Sequence, residues 1–457
     1  MKKTASFILA SFLMMSTLTA ASPAEERTDT KGKKATVKTG IETLLSSNLS
    51  WLKGKRVGLI TNPTGIDANM KSSVDLLFEH PNIKLTALYG PEHGVRGDAQ
   101  AGEGVESYTD EKTGLPVYSL YGKTRKPTPE MLKNVDVLLF DIQDVGARYY
   151  TYIYTMAYAM EAAKEHNIPF VVLDRPNPIG GLKVEGPVLE PEHASFVGLY
   201  PIPLRHGMTT GELAKLFNKE FHINADVTVI KMKNWKRSMT FDDTKLPFVL
   251  PSPNMPTVDS TFVYPATGLI EGTNVSEGRG TTKPFELIGA PYINSSELAD
   301  HLNQLKLKGV QFRPVSFTPT FSKHAGTLSH GVQLYVTDRS SFEAVKTGLS
   351  IIKAIHDLYP NDFQFLQTGS FDKLIGNDWM KEEINKGTSV KHIMKRYHHD
   401  LKTFEKKRKK ISHLLNHRKN LHLSKDGGFF HEIDLVTAGA FSSKRLSKKP
   451  NKAASTC

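Results

Sequence analysis

Four short apolar runs, each followed at once by turn-forming and polar residues, constrain the fold of this chain more than any other feature. The runs lead into TNPTG, GPEHG, DIQDVG and DRPNP, and they begin at Arg56, Ile83, Val135 and Phe170. Their length and their flanking residues are typical of buried β-strands bounded by turns. Helical periodicity at residues 72–79 and 150–165 predicts helices between some of the strands. Strands that alternate with helices predict a parallel sheet covered by helices, that is, a Rossmann-like α/β fold.

The polar residues after these runs are the first candidates for a functional site. In open parallel sheets, ligands bind in the crevice at the carboxyl ends of the strands. Glu92 lies in one such loop, framed by Gly90 and Pro91 and next to His93. A carboxyl group in this position can protonate a leaving oxygen. Capping of a helix, or an ion pair with Arg96, would explain Glu92 equally well.

The N-terminus has the three parts of a secretory signal peptide. Lys2 and Lys3 are followed by an apolar stretch at residues 7–15 and by small residues at 20–22. The apolar stretch is far shorter than the roughly 20 residues of a membrane span. We therefore expect a signal peptide at 1–21, a linker at 22–37, no membrane span and an exported protein. Cys457 is the only cysteine, so no internal disulfide is possible.

The rest of the chain divides into three predicted parts. A Rossmann-like catalytic domain covers 38–265, and a smaller α/β domain covers 266–410. Between them, residues 251–284 are rich in Pro, Gly, Ser and Thr and predict a long irregular segment. Residues 411–457 form a basic tail, which can bind anionic polymers or nucleic acid. A solvated, disordered end is the simpler interpretation, and we expect no nucleic-acid partner.

The irregular segment supplies a second set of candidates. A glycosidase needs two groups around the scissile bond, usually two carboxylates. Glu277 is the candidate for the second carboxylate, although a solvated loop charge would look the same. Arg279 can bind a substrate carboxylate through its guanidinium fork, or it can form a structural ion pair.

Other chemistries have weaker support. Asp141, Asp144, Asp174 and His93 are of the types that bind Mg²⁺ or Zn²⁺, but no H-E-x-x-H motif is present. Neither a G-x-G-x-x-G motif after the first run nor a G-x-S-x-G motif occurs. We therefore expect no metal and no other cofactor.

Five long motifs carry a resemblance to a known family. They are LYGPEHGVRGDAQAGE (88–103), FDIQDVGARYYTYIYTM (140–156), LDRPNPIGG (173–181), LPSPNMPTVDSTFVYPATGLIEGTNVSEGRGTTKPFELIGAP (250–291) and FTPTFSKHAGTLSHGVQLYVTD (317–338). Over residues 38–408 the chain resembles the NamZ family of exo-β-N-acetylmuramidases. The resemblance implies a Rossmann-like domain, a smaller second domain and an active site in the cleft between them. Members of that family end near residue 410, so the tail departs from the pattern.

The resemblance also implies roles for residues. Glu92 is the expected catalytic acid. The sugar's own acetamide can act as nucleophile, so a second carboxylate such as Glu277 would then only orient it. A cation should recognise the lactyl carboxylate of muramic acid, with Arg279 the first choice and Arg175 and Arg148 after it. The remaining substrate-binding candidates, all near strand ends, are Asn62, His93, Asp144 and Asn177.

The expected function is that of an exported glycoside hydrolase. It would remove β-linked N-acetylmuramic acid from the non-reducing end of peptidoglycan-derived saccharides, for cell-wall turnover. A non-catalytic wall-binding protein is the first alternative, and a metal-dependent hydrolase is the second. A pure binding protein has no need of a carboxyl group at Glu92, so this residue discriminates the first two functions.

Overall fold

The computed structural model of the chain describes residues 36–97, 102, 104 and 106–417. The expected signal peptide, almost all of the linker and residues 418–457 of the tail lie outside this part. Within the described residues, no helix is both long enough and apolar enough to cross a membrane.

Twelve strands are formed by the described residues. They are β1 (Arg56–Thr61), β2 (Lys84–Gly90), β3 (Tyr108–Thr109), β4 (Pro116–Ser119), β5 (Val137–Asp141), β6 (Phe170–Leu173), β7 (Glu185–Val188), β8 (Pro203–Arg205), β9 (Val227–Ile230), β10 (Leu287–Ala290), β11 (Val310–Phe317) and β12 (Ser329–Val336).

Thirteen helices accompany them in the same part of the chain. They are α1 (Gly40–Leu45), α2 (Ser73–Phe78), α3 (Pro129–Leu132), α4 (Tyr152–Glu165), α5 (Thr210–Glu220), α6 (Phe241–Thr244), α7 (Val258–Thr267), α8 (Ser295–Gln304), α9 (Ala344–Leu358), α10 (Ser370–Ile375), α11 (Trp379–Asn385), α12 (Val390–Arg396) and α13 (His398–His417). Short 3₁₀ helices occur at Ser50–Leu52, Pro191–His193 and Gly268–Gly272.

The main sheet has seven strands in the order β3-β4-β2-β1-β5-β6-β9. Every neighbouring pair is parallel except β3 with β4. The four apolar runs of the sequence are β1, β2, β5 and β6, and the predicted parallel α/β sheet is confirmed. Because parallel strands point the same way, their carboxyl ends share one edge of the sheet.

Alternating residues of the strands build two cores, one on each face of the sheet. Val57 and Leu59 of β1 lie in the smaller core, which α1 and α2 cover. Leu138 and Phe140 of β5 lie in the larger core with α4 and α5. Burial on both faces explains why these strands appear in the sequence as continuous apolar runs.

The second part of the chain contains a smaller antiparallel sheet in the order β10-β12-β11, with α8 and α9 packed nearby. Its apolar residues, such as Ile288 and Val332, belong to the same core as Phe140. Helix α9 packs closely on α7, since a Cβ at Gly348 would lie 2.3 Å from the carbonyl oxygen of Ala266. All the described residues fall in one compact unit.

Helix α1 ends at Leu45, because Ser46, Ser47 and Asn48 favour a helix end and a turn, and a 3₁₀ helix follows. Elsewhere the structure differs locally from what the sequence predicts. The segment expected to be irregular at 251–284 contains α7, which forms despite Pro265 because residues 260–267 are all buried. The domain boundary predicted near residue 265 falls inside this helix. Helix α13 continues to His417, past the predicted start of the tail at residue 411.

Candidate active site

A cleft of about 980 Å³ opens beside the carboxyl edge of the main sheet. One wall comes from the loop after β2, the start of α4 and the segments 195–197 and 252–254. The other wall comes from the second part of the chain, through Glu271, Arg279, Phe321 and Lys373. The cleft therefore lies where the resemblance predicted an active site.

Glu92 reaches the cleft from a strained turn. It is half-buried, and its Oε1 accepts a hydrogen bond of 2.8 Å from the backbone N–H of Gly102. The next two residues, His93 and Gly94, have φ values of 73° and 74°. Non-glycine residues rarely adopt this left-handed conformation, and it clusters at functional sites. The turn holds the Glu92 carboxyl at the cleft surface, with the buried His93 also in the lining.

Tyrosine side chains form the floor between the two walls. The rings of Tyr150 and Tyr152 meet edge to face at 4.9 Å, and Tyr264 contacts Tyr149 at 5.0 Å and Tyr150 at 5.9 Å. Burial raises the pKa of Tyr150 and Tyr264 well above the usual range, and the charge of Glu92 adds to the effect on both. The phenols therefore stay neutral, and they form an apolar, hydrogen-bonding surface suited to a sugar ring.

Glu271 lines the opposite wall and pairs with Arg279, whose Nη2 donates to Glu271 Oε2 at 3.2 Å. Burial raises the pKa of the Glu271 carboxyl, and the guanidinium of Arg279 opposes the rise. A half-buried carboxyl group beside a cleft is a candidate for proton transfer or for positioning substrate. Glu271 lies in the same 251–284 segment as Glu277, and the sequence did not predict it as a site residue.

Glu277, the expected second carboxylate, lies behind this wall. Its side chain is 2% exposed, and it is held between Arg279 Nε at 3.2 Å and Lys323 Nζ at 2.9 Å. Glu277 does not line the cleft. Glu277 therefore fixes two cations, and its catalytic role stays a prediction that this geometry does not favour. Glu271 lies at the cleft surface instead.

Two glycines position Arg279 in the GRG sequence. Gly278 and Gly280 have φ values of 81° and 79°. A Cβ at Gly278 would lie 2.6 Å from the Leu287 carbonyl oxygen, and one at Gly280 would lie 2.6 Å from the Phe321 backbone nitrogen. Only glycine fits both positions without strain. The turn thus holds Arg279 between the two carboxylates.

Two other arginines expected to contact substrate are committed elsewhere. Arg148 is completely buried and donates to the carbonyl oxygens of Pro187, Ile202 and Leu374 at 2.7 to 3.1 Å. Burial lowers its pKa to about 10. Arg175 forms a buried ion pair with Asp141 at 2.6 Å. Neither lines the cleft, so their contact with the lactyl group stays a prediction that this geometry does not favour.

Three further candidates are also used within the protein. Asp144 accepts from the Gly146 N–H at 2.8 Å and lies 3.1 Å from His206 Nε2. Asn177 donates to the Met208 carbonyl at 3.0 Å. Asn62 Oδ1 accepts from the Thr64 N–H at 3.0 Å. The cleft lining contains none of the three, and their contact with substrate stays a prediction that this geometry does not favour.

The acidic residues of the metal alternative are not brought together. Asp141 is bound by Arg175, Asp144 faces His206, and Asp174 accepts from the Gly211 N–H at 2.8 Å. Among the described residues, the His and acidic side chains close enough to share an ion are Glu190, His193 and Asp378, which do not line the cleft.

Several residues of the cleft lining were not predicted from the sequence as site residues. They include Tyr121, Arg125, Phe196 and Lys373. Tyr150 and Tyr152 belong to the aromatic run YYTYIYT, and this run was the available signal. Nothing local to Arg125 or Phe196 distinguishes them from other surface residues.

Comparisons with known proteins show the family to which this chain belongs. The model of the N-terminal domain of the exo-β-N-acetylmuramidase NamZ matches residues 57–259, and the model of its C-terminal domain matches residues 262–413. The chain belongs to the NamZ family. A family member from Bacillus subtilis strain 168, the peptidoglycan β-N-acetylmuramidase NamZ, is 72% identical over 410 residues, which cover 90% of this chain and 99% of that protein.

Two solved structures share the fold of this chain. Both are DUF1343 family proteins from Bacteroides fragilis. One is 44% identical with a TM-score of 0.77, and the other is 34% identical with a TM-score of 0.68. In each case the match covers 82% of this chain and 98% of the other.

Proposed function

We propose that this protein is an exo-acting β-N-acetylmuramidase that releases N-acetylmuramic acid from the non-reducing end of peptidoglycan fragments. The proposal rests on one observation above all. In a member of the NamZ family, two carboxyl groups, Glu92 and Glu271, line one cleft from opposite walls. Two such groups around a glycosidic bond are what its hydrolysis requires.

Glu92 is assigned the role of general acid. Its carboxyl group lies at the cleft surface, half-buried, where it can reach the glycosidic oxygen and exchange its proton with water. Protonation of that oxygen lets the aglycone leave as an alcohol when the bond to the anomeric carbon breaks, and proton transfer of this kind contributes about 10²- to 10⁴-fold to a rate.

Glu271 is assigned the second role. Arg279 fixes its carboxyl group at the cleft wall, so Glu271 can accept a hydrogen bond without changing position. The acceptor orients either the attacking water or the 2-acetamido group of the sugar as positive charge develops at the anomeric carbon. The tyrosine floor supports the sugar ring between the two carboxyl groups.

The activity test uses a chromogenic aryl β-N-acetylmuramide, with the corresponding glucosaminide as control and chelator present throughout. Release from the muramide alone, reduced at least about 100-fold in Glu92→Gln, is the expected result. Glu130→Gln, an exposed substitution in α3, is the matched control. No release from either sugar by folded wild-type protein would refute the proposal and favour a binding protein.

We further propose that the protein is exported and acts in cell-wall turnover. The positive residues Lys2 and Lys3, the apolar stretch at 7–15 and the small residues at 20–22 support a cleavable signal. N-terminal sequencing of the protein recovered from culture medium and cell wall should begin near residue 22. An intact Met1 on the accumulated protein would contradict export by this route.

A further inference from the structure

Muramic acid differs from glucosamine by a lactyl ether on O3, which carries a carboxylate. An enzyme that acts on one sugar and not on the other gains most by pairing this charge with a cation in the cleft. The cations that the described residues place in the cleft lining are Arg125, Arg279 and Lys373. His93 also lies there, buried to 4% exposure.

Arg279 is a poor choice for this task. Its guanidinium already contacts Glu271 and Glu277, each at 3.2 Å. A substrate carboxylate would have to displace or share these partners, and it would meet two negative charges at once. The two carboxylates therefore repel the ligand that Arg279 was expected to bind.

Arg125 is exposed at the cleft and has no carboxylate partner among the described residues. Its guanidinium carbon lies 4.0 Å from the centre of the Phe196 ring. Phe196 is packed in turn between Tyr121, at 6.2 Å, and Tyr158, stacked at 6.2 Å. A guanidinium lying on an aromatic face is held in place while its N–H groups stay available to a ligand.

Arg125 and Glu92 act on the same side chain, Tyr121. The charge of Glu92 raises the pKa of the Tyr121 phenol and that of Arg125 lowers it, with burial the largest influence. Both charged groups therefore lie near one tyrosine. On the sugar, the glycosidic oxygen on C1 and the lactyl ether on C3 lie on the same ring.

From this arrangement we infer that Arg125, supported by Phe196, binds the lactyl carboxylate and makes the cleft selective for muramic acid. The inference rests on the proposed muramidase function. Lys373, on the other wall, lacks the flat fork that matches a carboxylate.

The test compares two substrates with the same aryl leaving group. One is the β-N-acetylmuramide with a free lactyl carboxylate, and the other carries the methylamide of that carboxylate. Wild-type protein should prefer the free acid by about 10- to 100-fold in kcat/KM, the range for a charge-assisted hydrogen bond. The preference should vanish in Arg125→Ala, chiefly through KM, and survive in part in Arg125→Lys.

Lys123→Ala, an exposed cation in the same loop and outside the cleft lining, is the matched control and should keep the preference. Damage to the fold would lower activity on both substrates equally and leave their ratio intact. An unchanged ratio in active Arg125→Ala overturns the inference, as does its loss in Lys373→Ala instead. Inactive wild-type protein overturns the proposed function itself, and that outcome is visible before any variant is made.

Discussion

Arg279 and Glu271 form an ion pair in the cleft wall, with Nη2 3.2 Å from Oε2, and the same guanidinium holds Glu277 from behind. Only one of the two glutamates faces the cleft. The pair therefore separates a group available to substrate from a group that supports the wall.

We predict that Glu271→Gln lowers kcat on the aryl muramide by about 100-fold or more, with little change in the melting temperature. The loss should be similar for good and poor aryl leaving groups, because Glu271 does not protonate the leaving oxygen. In Glu92→Gln the loss should grow as the leaving group becomes poorer. Measuring kcat of both variants on a series of substituted aryl muramides tests this difference. A loss that grows with poorer leaving groups in Glu271→Gln, and not in Glu92→Gln, would mean that the two residues have the opposite roles.

Glu277→Gln should act on stability first. The substitution removes a buried charge and leaves Arg279 and Lys323 without their shared partner, which costs about 3 kcal/mol. Urea unfolding of the variant and of wild-type protein measures the difference. A fully stable variant without activity would show that Glu277 takes part in the reaction.

Asp174 should make stability depend on pH. Burial raises the pKa of this carboxyl from 3.8 to about 7, although it accepts hydrogen bonds from Gly211, Thr209 and Arg175. At a pH between these two pKa values, the Asp174 carboxyl is ionised in the unfolded chain and protonated in the folded protein. The contribution of Asp174 is therefore complete below about pH 4 and is lost as the pH rises to about 7, by roughly 4 kcal/mol in total. Urea unfolding at several pH values should show a flatter profile for Asp174→Asn than for wild-type protein. Equal slopes would contradict the assignment.

Arg148→Lys should destabilise the protein by about 2 to 4 kcal/mol. A lysine cannot reach three carbonyl groups with a planar fork, so buried acceptors lose their donors. Thermal unfolding is the measurement. The control is Arg313→Lys, at an exposed arginine with one hydrogen bond to Gln333, which should change little. Equal melting temperatures for the two variants would argue against a stabilising role for Arg148.

Gly280→Ala should disturb the turn that carries Arg279. A Cβ there would lie 2.6 Å from the Phe321 backbone nitrogen and 2.7 Å from its carbonyl oxygen, in addition to the cost of a positive φ. Gly326→Ala is the matched control, because Gly326 has a φ of 74° and open space around its Cβ position. The control should lose about 1 kcal/mol of stability, and Gly280→Ala should lose more and also lose activity. Similar effects in both would assign the whole cost to the backbone.

The sequence predicted the sheet well because burial on both faces leaves a continuous apolar signal. Val57 to Ile60 and Val137 to Phe140 could hardly form anything except buried strands. It also placed Glu92 at the carboxyl edge of the sheet, since a polar loop after such a strand has few other positions available.

The sequence could not show which charged groups neutralise each other. Arg175 and Asp141 lie 34 residues apart in the sequence and form an ion pair. Arg125, in contrast, lies over the aromatic ring of Phe196 and, among the described residues, not beside a carboxylate. Glu271 and Glu277 are six residues apart, and only the turn of the chain decides which one faces the cleft. Which charged groups form ion pairs, and which face the cleft, depends on contacts between residues that are distant along the chain. The local periodicity of the sequence does not indicate these contacts.

The buried Arg148 has a consequence for how substrate enters. Its guanidinium joins carbonyl groups of Pro187 and Ile202 to that of Leu374, in the helix that also carries Lys373. If the two walls of the cleft moved apart about a hinge at this point, those hydrogen bonds would break, and the core that both parts of the chain share would be exposed. We therefore expect the cleft to keep the same width in the free and in the bound protein. It would admit the end of a saccharide chain without closing over it. Small-angle X-ray scattering should give the same radius of gyration with and without N-acetylmuramic acid. A smaller radius of gyration on binding would show that the cleft closes, and would contradict this expectation.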